Sequence, residues 1–292
     1  MTHIIAIAGG KGGTGKTFIA VNITYIIGNE NEKILLIDAD VENPSVPSVI
    51  NISFTKIIES KSFRPVINEK KCNKCGLCVK NCPEHALTLL PTGKLLYLDT
   101  LCASCGVCQL ICPTGAIGSG EKVEGLFKYG VLNDNIDIIV GELIPGNRRS
   151  AALIVRLIEN HKDLFKKYKY IIVDSPPGSG VGLYSILKYA THIVAVTEPT
   201  PLGVNDLKKF LTLIDKYEWY NKKVLVVINK YGIPSNSYSD LEQIIKERGL
   251  LYVKIPYSKL VLKTYLLREP FVKLYSQTEV AEGLRRIVDF VK

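Results

Sequence analysis

The sequence has 292 residues, of which 47% are hydrophobic, and a formal net charge of +9 at pH 7. This length supports one large domain and a small second one. Lysine and arginine are interspersed with carboxylates and form no stripe alternating with aromatic residues, so no nucleic-acid partner is evident. No segment has the roughly 20 apolar residues of a membrane helix, and no signal pattern opens the chain, so we expect a cytoplasmic protein without a transmembrane segment.

Continuous apolar runs of strand length recur along the chain and predict strands that are covered on both faces. They span residues 4–8, 33–38, 136–141, 170–174, 192–197, 224–229 and 251–255. Helical patterns between them span residues 16–27, 150–167, 204–217 and 240–248. This alternation predicts an α/β fold with a doubly wound, mainly parallel sheet. A final amphipathic pattern, residues 280–292, predicts a short helix that packs on the sheet, with a membrane-targeting helix as the alternative.

A glycine-rich loop lies between the first predicted strand and the first predicted helix. Residues 10–17 fit the pattern G-x-x-x-x-G-K-T, in which backbone N–H groups surround the phosphates of a nucleotide. The residues expected to bind the nucleotide here are Gly10, Lys11, Gly12, Gly13, Thr14, Gly15, Lys16 and Thr17. We expect Lys16 to reach the β and γ phosphates and the Thr17 hydroxyl to bind Mg²⁺. The flanking strand and helix favour this interpretation over a plain glycine turn.

A second lysine inside this loop, Lys11, resembles the deviant P-loop of the MinD/ParA family. The nitrogenase iron protein and the Mrp-type cluster carriers also belong to that family. In the family this lysine crosses a dimer interface and contacts the nucleotide of the partner. The resemblance implies a homodimer with ATP between its subunits, and Lys11 and Lys16 as catalytic residues. The alternative for Lys11 is an exposed loop lysine.

Further segments resemble the family's loops around the nucleotide, so that the resemblance extends over nearly all of residues 1–60 and 136–292. Asp38 and Asp40 resemble its Asp-x-Asp segment, which implies one carboxylate near the attacking water and one in a γ-phosphate switch. Helix capping is the alternative for Asp40. Asp174 resembles the Walker B residue and is expected to hold Mg²⁺. Asn229 resembles the adenine-reading residue, and Pro256 lies in a segment that resembles a base-lining loop.

The alternation of strands and helices stops after Asp40, and a cysteine-rich segment follows. All eight cysteines lie between Cys72 and Cys112. In a protein expected in the reducing cytosol, such cysteines are more often metal ligands than disulfides. We predict a discontinuous P-loop ATPase domain, residues 1–63 and 120–292, and an insertion, residues 64–119. Residues 120–135 are compatible with a hairpin or with a connecting arm.

The insertion contains an internal repeat, in which the cysteines of a first copy recur at the same spacing in a second copy. Each copy has the pattern C-x₂-C-x₂-C-x₃-C-P, in which three cysteines bind one [4Fe–4S] cluster and the fourth binds the other cluster. The expected ligands are Cys72, Cys75, Cys78 and Cys112 for cluster one, and Cys102, Cys105, Cys108 and Cys82 for cluster two. A tetrahedral zinc site is the main alternative.

The insertion resembles a small α+β ferredoxin-like domain with two [4Fe–4S] clusters. Together the resemblances imply a slow, partner-stimulated ATPase that uses ATP and Mg²⁺, forms ADP, and couples its nucleotide state to electron transfer with an unidentified redox or iron–sulfur protein. Two alternatives stay open: an iron–sulfur cluster carrier or assembly ATPase, and a MinD-like positioning protein with structural or sensing clusters. Arg148 and Arg149 fit either a partner surface or the start of a helix.

Overall fold

Strands and helices alternate along most of the chain in the computed structural model, which describes residues 2–292. The strands are β1 His3–Ala8, β2 Ile34–Asp38, β3 Ser53–Ile67, β4 Leu87–Leu89, β5 Leu95–Tyr97, β6 Ile117–Asn133, β7 Ile136–Leu143, β8 Tyr170–Asp174, β9 His192–Thr197, β10 Lys223–Tyr231 and β11 Leu251–Pro256. The helices are α1 Lys16–Gly28, α2 Val46–Val49, α3 Leu77–Lys80, α4 Val107–Leu110, α5 Ser150–His161, α6 Val181–Tyr189, α7 Pro201–Lys216, α8 Tyr238–Glu247, α9 Leu260–Leu267, α10 Phe271–Leu274 and α11 Glu279–Val291. Short 3₁₀ helices span Asp99–Leu101 and Leu164–Lys167.

Within residues 2–292, nine strands form one sheet in the order β11-β10-β9-β1-β8-β2-β7-β6-β3, and β4 pairs with β5 in an antiparallel ribbon. The pairs from β11 to β7 are all parallel. Parallel neighbours require crossover connections, and helices supply them here. The mainly parallel α/β sheet predicted from the sequence is therefore confirmed.

The core lies where the apolar runs predict it. Every residue of β2, β8 and β9 is buried, since these strands are covered on both faces. The C-terminal helix α11 buries Leu284, Ile287 and Val291 and contacts β11 and α1. The prediction that this helix packs on the sheet is confirmed.

The chain divides into two compact units. Unit one contains the described residues up to Ile58, together with Phe127–Glu142 and Ser150–Lys292. Unit two contains Glu59–Leu126 and Leu143–Arg149. All of the predicted insertion, residues 64–119, lies in unit two, which also includes the short segment before α5. The long strands β3 and β6 contribute residues to both units.

Two features of the chain differ from the sequence-based prediction. The helix predicted for residues 150–167 ends at His161, and a separate 3₁₀ helix follows after two exposed polar residues. The long strands β3 and β6 were not predicted from the sequence. β3 begins with seven exposed residues and β6 alternates between exposed and covered ones, so neither has the continuous apolar run of a strand that is covered on both faces. Nowhere in residues 2–292 is a helix both long enough and apolar enough to span a bilayer.

Candidate functional site

The glycine-rich loop connects β1 to α1 at the carboxyl end of the parallel strands, the edge at which open α/β sheets bind ligands. Gly13 and Gly15 have φ angles of +79° and +96°, which residues with a side chain rarely adopt. A Cβ atom at Gly15 would also lie 2.2 Å from the Nδ2 atom of Asn229. Backbone conformation and packing both require glycine at position 15.

A cavity of about 500 Å³ lies beside this loop, within the usual size range of small-molecule sites. Eight of the predicted site residues line it: Gly12, Gly13, Gly15, Lys16, Thr17, Asp40, Asn229 and Pro256. The remaining predicted residues of this site lie outside the cavity lining: Gly10, Lys11, Thr14, Asp38 and Asp174. The sheet thus brings together loops from opposite ends of the sequence.

The two predicted Mg²⁺ ligands, Thr17 and Asp174, are in direct contact. Thr17 Oγ1 donates a hydrogen bond of 2.5 Å to Asp174 Oδ2 and lies 2.7 Å from the Ser45 hydroxyl. Asp174 Oδ1 is buried and has no hydrogen-bond partner within the described residues, and the same holds for the hydroxyls of Thr14 and Ser175. Carboxylate and hydroxyl oxygens are donors that Mg²⁺ prefers. A cation here would supply the partner that Asp174 Oδ1 lacks.

Asp38 ends β2 and is fully buried. Its carboxylate oxygens accept hydrogen bonds from the N–H groups of Asp40, at 3.2 Å, and Val46, at 2.9 Å. Burial raises the pKa of Asp38 well above its ordinary value, and the charge of Asp174 adds to this effect. Burial also raises the pKa of Asp40. A bound cation would offset the repulsion between the buried carboxylates of Asp38 and Asp174.

The two lysines of the loop make different contacts. Lys16 Nζ donates to the Lys11 carbonyl at 2.8 Å, and burial lowers the pKa of Lys16. Lys11 forms an ion pair with Glu198, which also pairs with Lys230 at 2.9 Å. Lys230 Nζ donates in turn to the Gly13 carbonyl at 2.8 Å. The Lys11 ammonium is therefore bound within its own chain.

Asn229, the predicted adenine reader, holds the P-loop in place. Its Nδ2 atom donates a hydrogen bond of 2.7 Å to the Thr14 carbonyl. Asn229 also lines the cavity together with Pro256 and Tyr257. The side chain thus combines contact with the loop and a position at the cavity wall.

Ser45, Glu198 and Lys230 belong to this site but are not among the predicted site residues, although the segment that begins at Glu198 resembles a base-lining loop of the family. Glu198 directly follows the fully buried strand β9, and Lys230 lies near the end of β10. A charged residue at the carboxyl end of a buried parallel strand is a signal for the ligand-binding edge. Ser45 lies in the segment after β2 and has no comparable sequence signal.

The eight cysteines of unit two line two separate cavities. One cavity is lined by Cys72, Cys75, Cys78 and Cys112, and the other by Cys82, Cys102, Cys105 and Cys108. This grouping is the same as that of the two predicted ligand sets. Within residues 2–292, no three His, Cys, Asp or Glu side chains converge as they would on a single metal ion.

The two cysteine groups share one backbone conformation. Positive φ angles occur at three pairs of equivalent positions in the two copies: Lys74 and Ser104, Gly76 and Gly106, His85 and Gly115. In both copies, the N–H of the alanine four residues after the last cysteine donates to that sulfur at 3.3 Å. Left-handed turns of this kind direct N–H groups into anion-binding concavities. The arrangement suits a cluster whose sulfur atoms accept hydrogen bonds from the backbone.

Two arginines bind a buried carboxylate beside the second cysteine group. Glu124 is fully buried, and its Oε1 atom accepts hydrogen bonds from Arg64 at 3.0 Å and Arg149 at 2.6 Å. Both arginines also donate to the Ser104 hydroxyl, and Arg149 donates to the Ala103 carbonyl. Arg149 immediately precedes α5. Its hydrogen bonds to Ser104 and Ala103 fix the loop between the first two cysteines of the second copy.

The family model for the CobQ/CobB/MinD/ParA nucleotide binding domain matches residues 5–271. An uncharacterized protein of Methanocaldococcus jannaschii is 33% identical over 272 residues, 92% of this chain and 91% of that protein. The iron–sulfur cluster carrier protein of Escherichia coli is 25% identical over 218 residues, 74% of this chain and 44% of the carrier. The septum site-determining protein MinD of Pyrococcus horikoshii, solved with Mg-ADP, has a TM-score of 0.63 at 19% identity, covering 100% of this chain and 96% of that one. The last similarity shows that the two share a fold.

Proposed function

The chain belongs to the CobQ/CobB/MinD/ParA nucleotide-binding family, and on this basis we propose that it is an ATP-hydrolysing switch protein that also carries two [4Fe–4S] clusters. ATP binds in the cavity beside the P-loop, and hydrolysis to ADP and phosphate is slow until a partner protein stimulates it. The nucleotide state is coupled to electron transfer between the clusters and that partner.

The contacts around the cavity support ATP hydrolysis. In this proposal the loop backbone and Lys16 bind the phosphates, and the contact between Thr17 and Asp174 supports their role as ligands of Mg²⁺, which offsets phosphate charge. Asp38 lies outside the cavity lining, where two backbone N–H donors fix its carboxylate, and the proposal that it positions the attacking water rests on the resemblance of the Asp-x-Asp segment. Asn229 lies at the wall that is to receive the base.

The ion pair of Lys11 bears on the proposed ATP-sandwich dimer. In the dimer, Lys11 reaches the nucleotide of the other subunit, and it must first leave Glu198. The γ-phosphate of ATP bound to the other subunit carries more negative charge than one carboxylate, and it therefore competes with Glu198 for Lys11. Nucleotide binding in the partner subunit therefore favours the exchange.

The partition of the eight cysteines between two cavities supports the iron–sulfur part of the proposal most strongly. A [4Fe–4S] cluster, when bound, accepts and releases single electrons. The crossed sets tie each cluster to both copies of the repeat, because Cys112 joins the first group and Cys82 the second. The repeated left-handed turns place backbone N–H groups beside the sulfur atoms.

A cluster carrier is the second candidate function, and the similarity to the E. coli carrier protein favours it. A carrier holds a labile cluster and passes it to an apo-protein. Both proposed clusters here have four cysteine ligands, which use all eight cysteines of the chain. Incubation of the loaded protein with an apo-ferredoxin separates the two functions, since electron transfer leaves the iron with the donor and carriage moves it.

One redox titration tests the main proposal. The anaerobically purified protein is titrated without nucleotide, with Mg-ADP, and with Mg-ATP in an Asp38→Asn variant that binds ATP but hydrolyses it poorly. A shift of the midpoint potential with nucleotide is expected, and about 59 mV corresponds to a tenfold change in a one-electron equilibrium constant. Linkage then requires that cluster reduction alter nucleotide affinity by the same factor. Identical potentials in all three states would contradict the coupling.

A further inference from the structure

The two copies of the cysteine repeat differ in charge although they share their backbone. Four lysines of the first copy have uncharged counterparts at the equivalent positions of the second: Lys70 corresponds to Thr100, Lys71 to Leu101, Lys74 to Ser104 and Lys80 to Leu110. Lys74 and Ser104 have nearly the same φ angle, 60° and 56°. Because serine and lysine occupy the same turn, the fold of this segment does not require a lysine there.

Five lysines of the first copy are exposed and are here together called the lysine face: Lys70, Lys71, Lys74, Lys80 and Lys94. Residues 68–94 contain these five lysines and two glutamates, whereas the equivalent residues 98–124 contain one lysine and three carboxylates. Other lysines of unit two, such as Lys61 and Lys122, are in ion pairs, and within residues 2–292 no ion pair involves the lysine face. None of its five ammonium groups is therefore neutralised by an ion pair in the described part of the chain, and lysines outnumber glutamates five to two in this segment.

Members of the lysine face lie next to cysteines of the first group. Lys74 lies between Cys72 and Cys75, and Lys80 ends the helix α3 that carries Cys78. Lys74 and Lys94 line a cavity beside Cys72. Cys75 is exposed, so a redox group at this site lies close to the protein surface.

We propose that the lysine face docks an electron-transfer protein with an acidic surface, which exchanges electrons with the first cluster. This inference rests on the proposed function, because it needs a cluster held by the first cysteine group. Redox encounters use small interfaces, and charge complementarity speeds such association more than it tightens it. One electron leaves the reduced first cluster and enters the redox group of the docked acceptor. No atom is transferred between the two proteins.

Stopped-flow kinetics with flavodoxin, an acidic flavoprotein, as the probe tests the proposal. The protein is reduced with dithionite, freed of excess reductant and mixed with oxidised flavodoxin at increasing ionic strength. We expect the second-order rate constant to fall about tenfold or more with added salt. The charge-reversed variant Lys70→Glu, Lys80→Glu, Lys94→Glu should lose about tenfold at low salt and most of the salt dependence.

A matched control reverses two exposed lysines of unit one, Lys209→Glu and Lys246→Glu. Its rate constant should stay within about twofold of the wild type. Riboflavin, a neutral acceptor, should react equally fast with all forms. The neutralising pair Lys70→Gln and Lys94→Gln replaces the triple variant if that variant loses iron.

Equal losses in the triple variant and its control, or a rate constant independent of salt, would overturn the docking proposal. The docking proposal would also be overturned if the lysine face bound phosphatidylserine vesicles while the triple variant transferred electrons at the wild-type rate. Electron paramagnetic resonance of the reduced wild-type protein distinguishes a failure of docking from a failure of the proposed function. Absence of any [4Fe–4S] signal would refute the proposed function. Normal signals together with a rate constant that does not depend on salt would refute the docking proposal alone.

Discussion

The carboxylate of Glu198 forms an ion pair with the ammonium group of Lys11 in the same chain. Lys230 binds the other Glu198 oxygen at 2.9 Å and the Gly13 carbonyl at 2.8 Å. The ion pair is largely removed from solvent, since the side chain of Glu198 is only 10% exposed. Glu198 thus holds the lysine that is proposed to cross the dimer interface.

Substitution Glu198→Gln should strengthen the ATP-dependent dimer. Lys11 of each subunit would no longer have to leave an ion pair, and the two pairs of the dimer, at roughly 1 kcal/mol each, correspond to about 30-fold in Kd. Analytical ultracentrifugation with Mg-ATP in the Asp38→Asn background measures this. Glu242→Gln, which breaks the exposed pair with Lys254, serves as the control. A weaker dimer in Glu198→Gln would show that Glu198 assists assembly.

The Asp174 carboxyl should lower the stability of the Mg²⁺-free protein as pH rises toward neutrality. Burial raises the pKa of Asp174 to about 7, whereas an unfolded Asp titrates near 4. The folded state therefore binds more protons between about pH 4 and pH 7, so this group destabilises the fold progressively as pH rises through that window. Thermal unfolding in EDTA should show a smaller decrease for Asp174→Asn than for the wild type.

Asp289→Asn, at an exposed position of α11, is the control for this effect and should keep the wild-type pH dependence. Mg-ADP should raise the unfolding temperature of the wild type and reduce its pH dependence, because the bound ion favours the ionised carboxylate. A pH dependence equal in Asp174→Asn and wild type would contradict the role of Asp174.

Substitution Gly15→Ala should destabilise the protein and abolish tight nucleotide binding. The φ angle of +96° costs roughly 1–2 kcal/mol for a residue with a side chain. The new Cβ atom would also displace Asn229. Thermal unfolding without nucleotide measures the first effect. Gly12→Ala is its control, because a Cβ atom there meets nothing within 4 Å.

Single cysteine substitutions should reveal the crossed ligand sets. We expect Cys112→Ser to impair the cluster of Cys72, Cys75 and Cys78, although Cys112 belongs to the other copy of the repeat. Cys82→Ser should impair the other cluster instead. Iron analysis and electron paramagnetic resonance of both variants measure this, and zinc analysis of the same samples tests the alternative metal. Loss of the cluster nearest in sequence would contradict the crossed assignment.

Substitution Arg149→Gln should loosen the second cysteine group. It removes one of the two cationic partners of the buried Glu124 carboxylate while Arg64 remains, and a hydrogen bond to a charged group contributes roughly 2 kcal/mol. The thermal loss of visible iron–sulfur absorption should therefore occur at a lower temperature. Arg148→Gln, at the exposed neighbouring position, should have little effect. Equal behaviour of the two variants would show that Arg149 is not needed for this loop.

Sequence patterns predicted the elements whose signal is local. Buried strands such as β8 are continuous apolar runs, and the P-loop has a strict spacing of glycine and lysine. The contacts that pair distant residues could not be predicted in this way. Lys11 and Glu198 meet only because β1 and β9 are neighbours in the sheet. The strand β3 was missed because its first seven residues are all exposed, which removes the alternation on which strand prediction depends there.

Unit two is built from two separate segments of the chain, because it includes Leu143–Arg149 in addition to Glu59–Leu126. Excision of residues 59–126 as an autonomous peptide would leave Arg149 behind and keep Glu124, its buried counter-charge. Residues 59–126 inserted into another protein would likewise lack Arg149 as a partner for Glu124. The cysteine-bearing part of this molecule is therefore poorly suited to transfer as a single continuous segment, because it depends on a residue that lies between the strand β7 and the helix α5.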